Sequence, residues 1–278
     1  MLKQKNELRN GLPVYLTYGQ LKEHNKNLIG TYKYKIKAYN DGVYKVIEYK
    51  NERLKTHQKL TTNFSTNSDL TDEEKEIKLQ QSRQANLYKT KNKLRDYARN
   101  NYFDKFWTLT FDPKKFGNSD NLRFEEMQKF LKRMTRKYGK FNYLAVPERH
   151  KSGAIHWHMM TGYFEPELID SGKKYKRVPI FNCPEWEFGF TNVQNVRSKK
   201  RISNYVSKYI TKDLMESPAR RNKKKYWASR SLELPKVFSI AEEVDKLPEA
   251  IFESEICKIY EMNRADFEKY FSMSEANS

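Results

Sequence analysis

Little in this chain could staple it or anchor it. Its 278 residues include two cysteines, Cys183 and Cys257, far apart and without a C-x-x-C partner, which excludes a disulfide framework and a zinc ribbon and fits a reducing compartment. No apolar run approaches the roughly 20 residues of a membrane span, and the opening MLKQKNELRNG lacks the apolar stretch of a signal peptide. The expectation is therefore a cytoplasmic protein that engages no membrane. Acidic residues are in deficit: 35 Asp+Glu face 54 Lys+Arg, a formal charge of +19. That balance points to a polyanionic partner rather than a neutral metabolite. The excess is uneven, because residues from Ala241 onward include ten acids and four bases, a net −6, which leaves +25 on residues 1–240. The length suits one large domain, or a core domain with appendages.

Taken in order, TYKYKIKAYNDGVYKVIEY (Thr31–Tyr49) alternates on both sides of Asn40-Asp41-Gly42 and predicts a hairpin. Its Tyr32, Tyr34 and Ile36 share one face and Lys33, Lys35 and Lys37 the other. This suits an ordinary half-buried hairpin with solvated lysines better than an accessory nucleic-acid surface with stacking aromatics. A polar stretch, Thr61–Ser68, reads as a linker. Thr71-Asp72-Glu73-Glu74 is a capping-box pattern that opens a helix running to about Arg99. Sparse apolar positions leave open whether that helix docks on a core or lies along a phosphate backbone. Phe106–Phe111, FWTLTF, predicts a strand with Trp107, Leu109 and Phe111 facing a core and Thr108 and Thr110 facing away. An amphipathic helix over Asn121–Tyr138 follows.

Phe141–Phe164, FNYLAVPERHKSGAIHWHMMTGYF, concentrates most of the histidines. Its polar break predicts a hairpin with a three-residue loop, Lys151-Ser152-Gly153. The implied register sets Arg149 opposite Ile155 and Glu148 opposite His156. Strand alternation puts His156 and His158 on one face and Ile155, Trp157 and Met159 on the other. Opposed Cβ atoms lie roughly 5 Å apart, so Glu148, His156 and His158 can share one cation, with His150 a weaker candidate ligand. The same histidines could also be polar residues on the wet face of an antiparallel sheet.

An insertion rich in Lys and Gly, about Glu165 to Pro184, interrupts the expected sheet before a further strand within Trp186–Val196. Lys199–Glu216, KKRISNYVSKYITKDLME, then predicts a helix with Ile202, Val206, Ile210 and Leu214 as its buried stripe. Tyr205 and Tyr209 stack on one face, with Lys208 and Lys212 just beyond. A phenol has a pKa near 10, so it attacks a phosphodiester only where positive charge favours phenolate and a metal polarises the phosphate. The lysines supply the first condition and the Glu-His-His group the second. SPARRNKKKYWASR (Ser217–Arg230) packs six bases around Tyr226 and Trp227 and suits a mobile loop gripping DNA. The acidic Pro248–Phe271 reads as a C-terminal helical region.

The F-x-L-T-F strand, the acid eight residues before H-x-H, and the Tyr-Lys helix together resemble the HUH endonucleases that initiate rolling-circle replication. The doubled tyrosine is similar to that of the two-tyrosine initiators of small single-stranded DNA phages. The resemblance spans roughly Phe106 to Glu216. It implies an α+β fold, with an RRM-like or ferredoxin-like antiparallel sheet flanked by helices. It also implies Mg²⁺ or Mn²⁺ as cofactor, and nicking and joining of single-stranded origin DNA through a 5′-phosphotyrosyl intermediate in a bacterial host. His156 and His158 would be ligands, Glu148 the third, and Tyr209 or Tyr205 the nucleophile, Tyr209 being preferred for its Y-I-T-K-D context. Lys212 and Lys208 would assist. No G-x-x-x-x-G-K-[ST] occurs, so a fused helicase is absent and unwinding and synthesis fall to host helicase and polymerase.

The expected organisation is a basic N-terminal region (1–70), a connecting helix (71–104), the endonuclease core (105–216), and a basic loop with an acidic helical region (217–278). An HUH transposase or relaxase using the same chemistry, or a non-catalytic nucleic-acid-binding protein, are the alternatives.

Overall fold

The computed structural model describes residues 8–9, 12–13, 30–55, 71–117, 119–149, 153–198, 225–244 and 246–271. In chain order these form strands β1 (Leu8–Arg9), β2 (Leu12–Pro13), β3 (Thr31–Ala38) and β4 (Tyr44–Leu54), then helix α1 (Asp72–Asn100) and strand β5 (Lys105–Phe111). Helices α2 (Pro113–Phe116) and α3 (Asp120–Tyr138) lead to β6 (Asn142–Arg149), β7 (Ile155–Gly162), β8 (Ile169–Tyr175), β9 (Val178–Asn182) and β10 (Gly189–Asn195). The chain closes with β11 (Trp227–Ala228), β12 (Lys236–Ile240), β13 (Phe252–Glu253), β14 (Cys257–Met262) and α4 (Arg264–Tyr270). Two compact units result, one of Ser65–Pro235 and one combining Met1–Phe64 with Lys236–Ser278. No helix among the described residues is long and apolar enough to cross a membrane.

The larger unit holds a seven-stranded sheet in the order β11-β6-β7-β5-β10-β9-β8, every pair antiparallel. Because β5 and β6 both run antiparallel to β7 between them, they are parallel to each other and linked through α3. This is the split βαβ arrangement of a ferredoxin-like core. The fold is α+β, with antiparallel sheets and flanking helices.

Sequence alternation decides which face each side chain takes. Trp107, Leu109 and Phe111 of β5 and Ile155, Trp157 and Met159 of β7 are buried against Phe124, Met127, Phe130, Leu131 and Met134 of α3. Each such side chain contributes roughly 1.5–3 kcal/mol by leaving water. Ser119 caps α3, its hydroxyl accepting from the Leu122 amide at 3.4 Å.

The opposite face is also partly covered, whereas the sequence pattern suggested helices on one side only. Leu87, Leu94 and Ala98 of α1 pack with Leu144, Val146 and Met160, and Phe106 packs against the same cluster. Thus α1 is docked, but only through its C-terminal half; Ile77 and Leu79 in the first half are 55% and 43% exposed. The capping box holds, with Glu74 and Thr71 bonding reciprocally. The 165–184 insertion does not break the sheet. It forms the β8–β9 hairpin and extends the β10 edge.

In the smaller unit, β12-β3-β4-β14-β13 form a second antiparallel sheet. The Asn40-Asp41-Gly42 turn sits where the sequence puts it, with the Gly42 amide donating to the Tyr39 carbonyl at 3.0 Å. Tyr34 and Ile36 are fully buried; Tyr34 packs edge-on to Phe271, and Tyr44 stacks on Phe267 of α4 at 4.2 Å. That aromatic face is a core face, not a stacking surface. The expected C-terminal helical region is mostly strand: Cys257–Met262 alternates with period two against β4, and only Arg264–Tyr270 is helical. Its acids meet the basic hairpin, Glu243 pairing with Lys33, and Glu253 with Lys50 at 3.0 Å.

Candidate active site

Burying Ile155, Trp157 and Met159 turns His156 and His158 to the face away from α3, as strand pleating requires. In the ladder Glu148 opposes His156 and Val146 opposes His158. On the other flank of β7, Thr110 opposes His156 and Thr108 opposes His158. Three adjacent strands therefore deliver one carboxylate, two imidazoles and two hydroxyls to a single patch.

Glu148 leans diagonally, so that its Oε2 lies 2.7 Å from His158 Nε2. The Nδ1 atoms face the other way: His156 Nδ1 is 3.0 Å from Thr110 Oγ1, and His158 Nδ1 is 3.4 Å from Thr108 Oγ1. His158 is 7% exposed and stacks on Phe106 at 5.8 Å, whereas the Glu148 side chain is 37% exposed. The group thus has a buried floor and an open rim.

The end of the hairpin is tied down. Arg149 donates to Asp120 Oδ2 in the first turn of α3 and to the Gly153 carbonyl, both at 2.7 Å. Glu148 is the neighbouring residue, so this staple restricts how far its backbone can drift. Gly162 at the far end of β7 is needed for close approach, since a Cβ there would meet the Tyr102 carbonyl oxygen at 2.2 Å.

His150, Tyr205, Tyr209, Lys208 and Lys212 lie outside the described residues, as does the predicted Lys199–Glu216 helix. Among the described residues no three His, Cys, Asp or Glu side chains already form a metal-holding group. The direct Glu148–His158 contact accounts for this, since those two donors are bonded to each other.

Two residue roles were not legible in the sequence. Thr108 and Thr110 could be assigned to the outer face but not to the histidines, because that requires knowing that β5 neighbours β7. Trp227, expected in a mobile DNA-gripping loop, is 5% exposed and packs on Phe124 and Trp157 at 5.4 and 4.6 Å. It pairs with Ala145 and belongs to the core.

An antiparallel split βαβ sheet carrying two histidines and a carboxylate on one face defines the class of site. Residues 104–214 match a family model that describes replication-associated proteins of the ORF2 type. The matched segment runs from the start of β5 through the Tyr205 and Tyr209 stretch and supports a role in replication initiation. No curated protein and no solved structure gives a match.

Proposed function

We propose that this chain initiates rolling-circle replication by nicking and rejoining single-stranded origin DNA through a 5′-phosphotyrosyl intermediate. The observation that carries the reading is the Glu148–His158–His156 group on the split βαβ sheet, within the segment that matches a replication-associated family. Imidazole with carboxylate suits Mn²⁺ or Mg²⁺. His156 and His158 would donate Nε2, with each Nδ1 held by a threonine hydroxyl, and Glu148 would exchange its bond to His158 for the ion. When bound, the ion polarises the scissile phosphate and offsets charge that develops on it.

Tyr209 attacks phosphorus with its phenolic oxygen, the phenol proton passing to solvent. A P–Oη bond forms, the P–O3′ bond breaks, and the departing oxygen takes a proton to become a 3′-OH primer end. One phosphodiester replaces another, so the nick is stored without nucleotide hydrolysis. Lys212 and Lys208 favour phenolate over phenol and stabilise transition-state charge. Tyr205 serves as the second nucleophile when the regenerated origin is cut, after which the 3′-OH attacks the phosphotyrosine and closes the circle. Host helicase and polymerase extend from the primer.

The test is incubation of the full chain with circular single-stranded DNA and Mn²⁺, followed by denaturing electrophoresis. A covalent protein–DNA adduct is expected, with nucleotide on Tyr209 by peptide mass spectrometry. Absence of adduct with intact DNA binding would leave only a binding protein.

A further inference from the structure

Beyond the Glu-His-His patch, the same sheet face carries a second concavity of about 470 Å³ where α1 meets the β11 edge. Tyr97 and Tyr226 line it, their rings 6.5 Å apart and tilted by 60°. Lys225 and Arg230 also line it, and none of its lining residues is acidic. Lys93 stands over the Tyr97 ring at 5.5 Å. Proximity to the Tyr226 and Tyr97 phenols holds the Lys93 ammonium above its usual range despite partial burial.

The walls are fastened on both sides. Ser229 donates its amide to the Tyr143 carbonyl at 2.9 Å. Asn101, just past α1, accepts from the Glu233 amide and donates to its carbonyl, at 3.0 and 2.8 Å. Aromatic surfaces on a rigid frame lose little freedom when a planar ring settles between them, and neighbouring cations suit a planar ring that carries phosphate.

Ala228 pairs with Leu144, four residues before Glu148 on β6 and on the same face. At strand rise this places the concavity about 13 Å along the sheet from the carboxylate. We propose that the groove between α1 and β11 stacks a base of single-stranded DNA, a short distance along the strand from the phosphate bound at Glu148, His156 and His158. The proposal rests on the reading of this face as a single-strand site. It adds a subsite made of Tyr97, Tyr226, Lys225 and Arg230, which reads base planarity rather than phosphate alone. A duplex, with its base faces covered, is excluded from it.

The experiment measures affinity of the full chain for a labelled thymidine 20-mer in EDTA by fluorescence anisotropy, beside a 20-mer of abasic sites. Tyr226→Leu, which keeps apolar packing against Leu232, is expected to weaken thymidine binding about 5- to 50-fold and to leave the abasic strand unaffected. Tyr226→Phe should bind like the parent. The parent chain itself should prefer the base-bearing strand, which tests the groove without any substitution. Equal affinities of Tyr226→Leu and parent for the thymidine strand would overturn the proposal, as would equal losses on both strands. Displacement of the 20-mer by sub-millimolar thymidine monophosphate would assign the groove to a free nucleotide instead and overturn it too. Because EDTA removes nicking from the measurement, stacking without any adduct in Mn²⁺ sinks the nuclease reading alone, and adduct without stacking sinks the groove alone.

Discussion

Glu148 faces His156 in the ladder yet reaches diagonally to His158, placing Oε2 2.7 Å from Nε2. The diagonal joins the open rim of the patch to its buried floor, and it is the bond that an incoming cation must replace. Removing either partner should therefore affect metal binding before it affects folding.

His158→Ala and Glu148→Gln are expected to lower Mn²⁺-dependent nicking on the order of 10³-fold, several kcal/mol of transition-state stabilisation being lost. Single-strand binding should persist, since Lys and Arg make most phosphate contacts. Undiminished nicking by either variant, or by His156→Ala, would refute the ligand assignment.

Thr110 is set to hold His156 through Nδ1 at 3.0 Å. Thr110→Val keeps shape and removes the hydroxyl, so Mn²⁺ affinity by calorimetry should fall about 10- to 100-fold, while Thr110→Ser restores it. A valine variant that binds Mn²⁺ like the parent would show the contact to be incidental.

The two tyrosines predict a split phenotype. Tyr209→Phe should lose most of the first covalent adduct, whereas Tyr205→Phe should nick but fail to transfer the strand. Adduct confined to Tyr205 would reverse the order of attack.

The charge of +25 on residues 1–240 should make single-strand binding steeply salt-dependent through counterion release. Titrations between 50 and 200 mM salt are expected to show log affinity falling linearly with log salt, with a slope of about −0.7 per phosphate neutralised. A flat response would refute the electrostatic reading.

Helix α1 should be energetically lopsided. Leu94 is fully buried and Leu79 is 43% exposed, so Leu94→Ala should cost about 2–5 kcal/mol and Leu79→Ala under about 0.5 kcal/mol in urea denaturation. Similar costs would mean that the first half of the helix is packed in solution.

What the sequence by itself determined here was local. Period-two alternation and a short polar break set Glu148 opposite His156, because pleating leaves one register once Trp157 and Met159 must be buried. Caps and apolar spacing likewise marked α1 and α3 to within a residue or two of their ends. Only the tertiary structure decided which strands became neighbours. That choice placed Thr108 and Thr110 behind the histidines, drew Trp227 into the core, and joined the acidic C-terminal strands to the basic hairpin. The physical reason is that strand pairing across more than a hundred residues depends on the joint burial of two sheet faces. No local window of sequence holds that information, and it also left Cys257–Met262 looking helical until β4 supplied the edge on which it pairs.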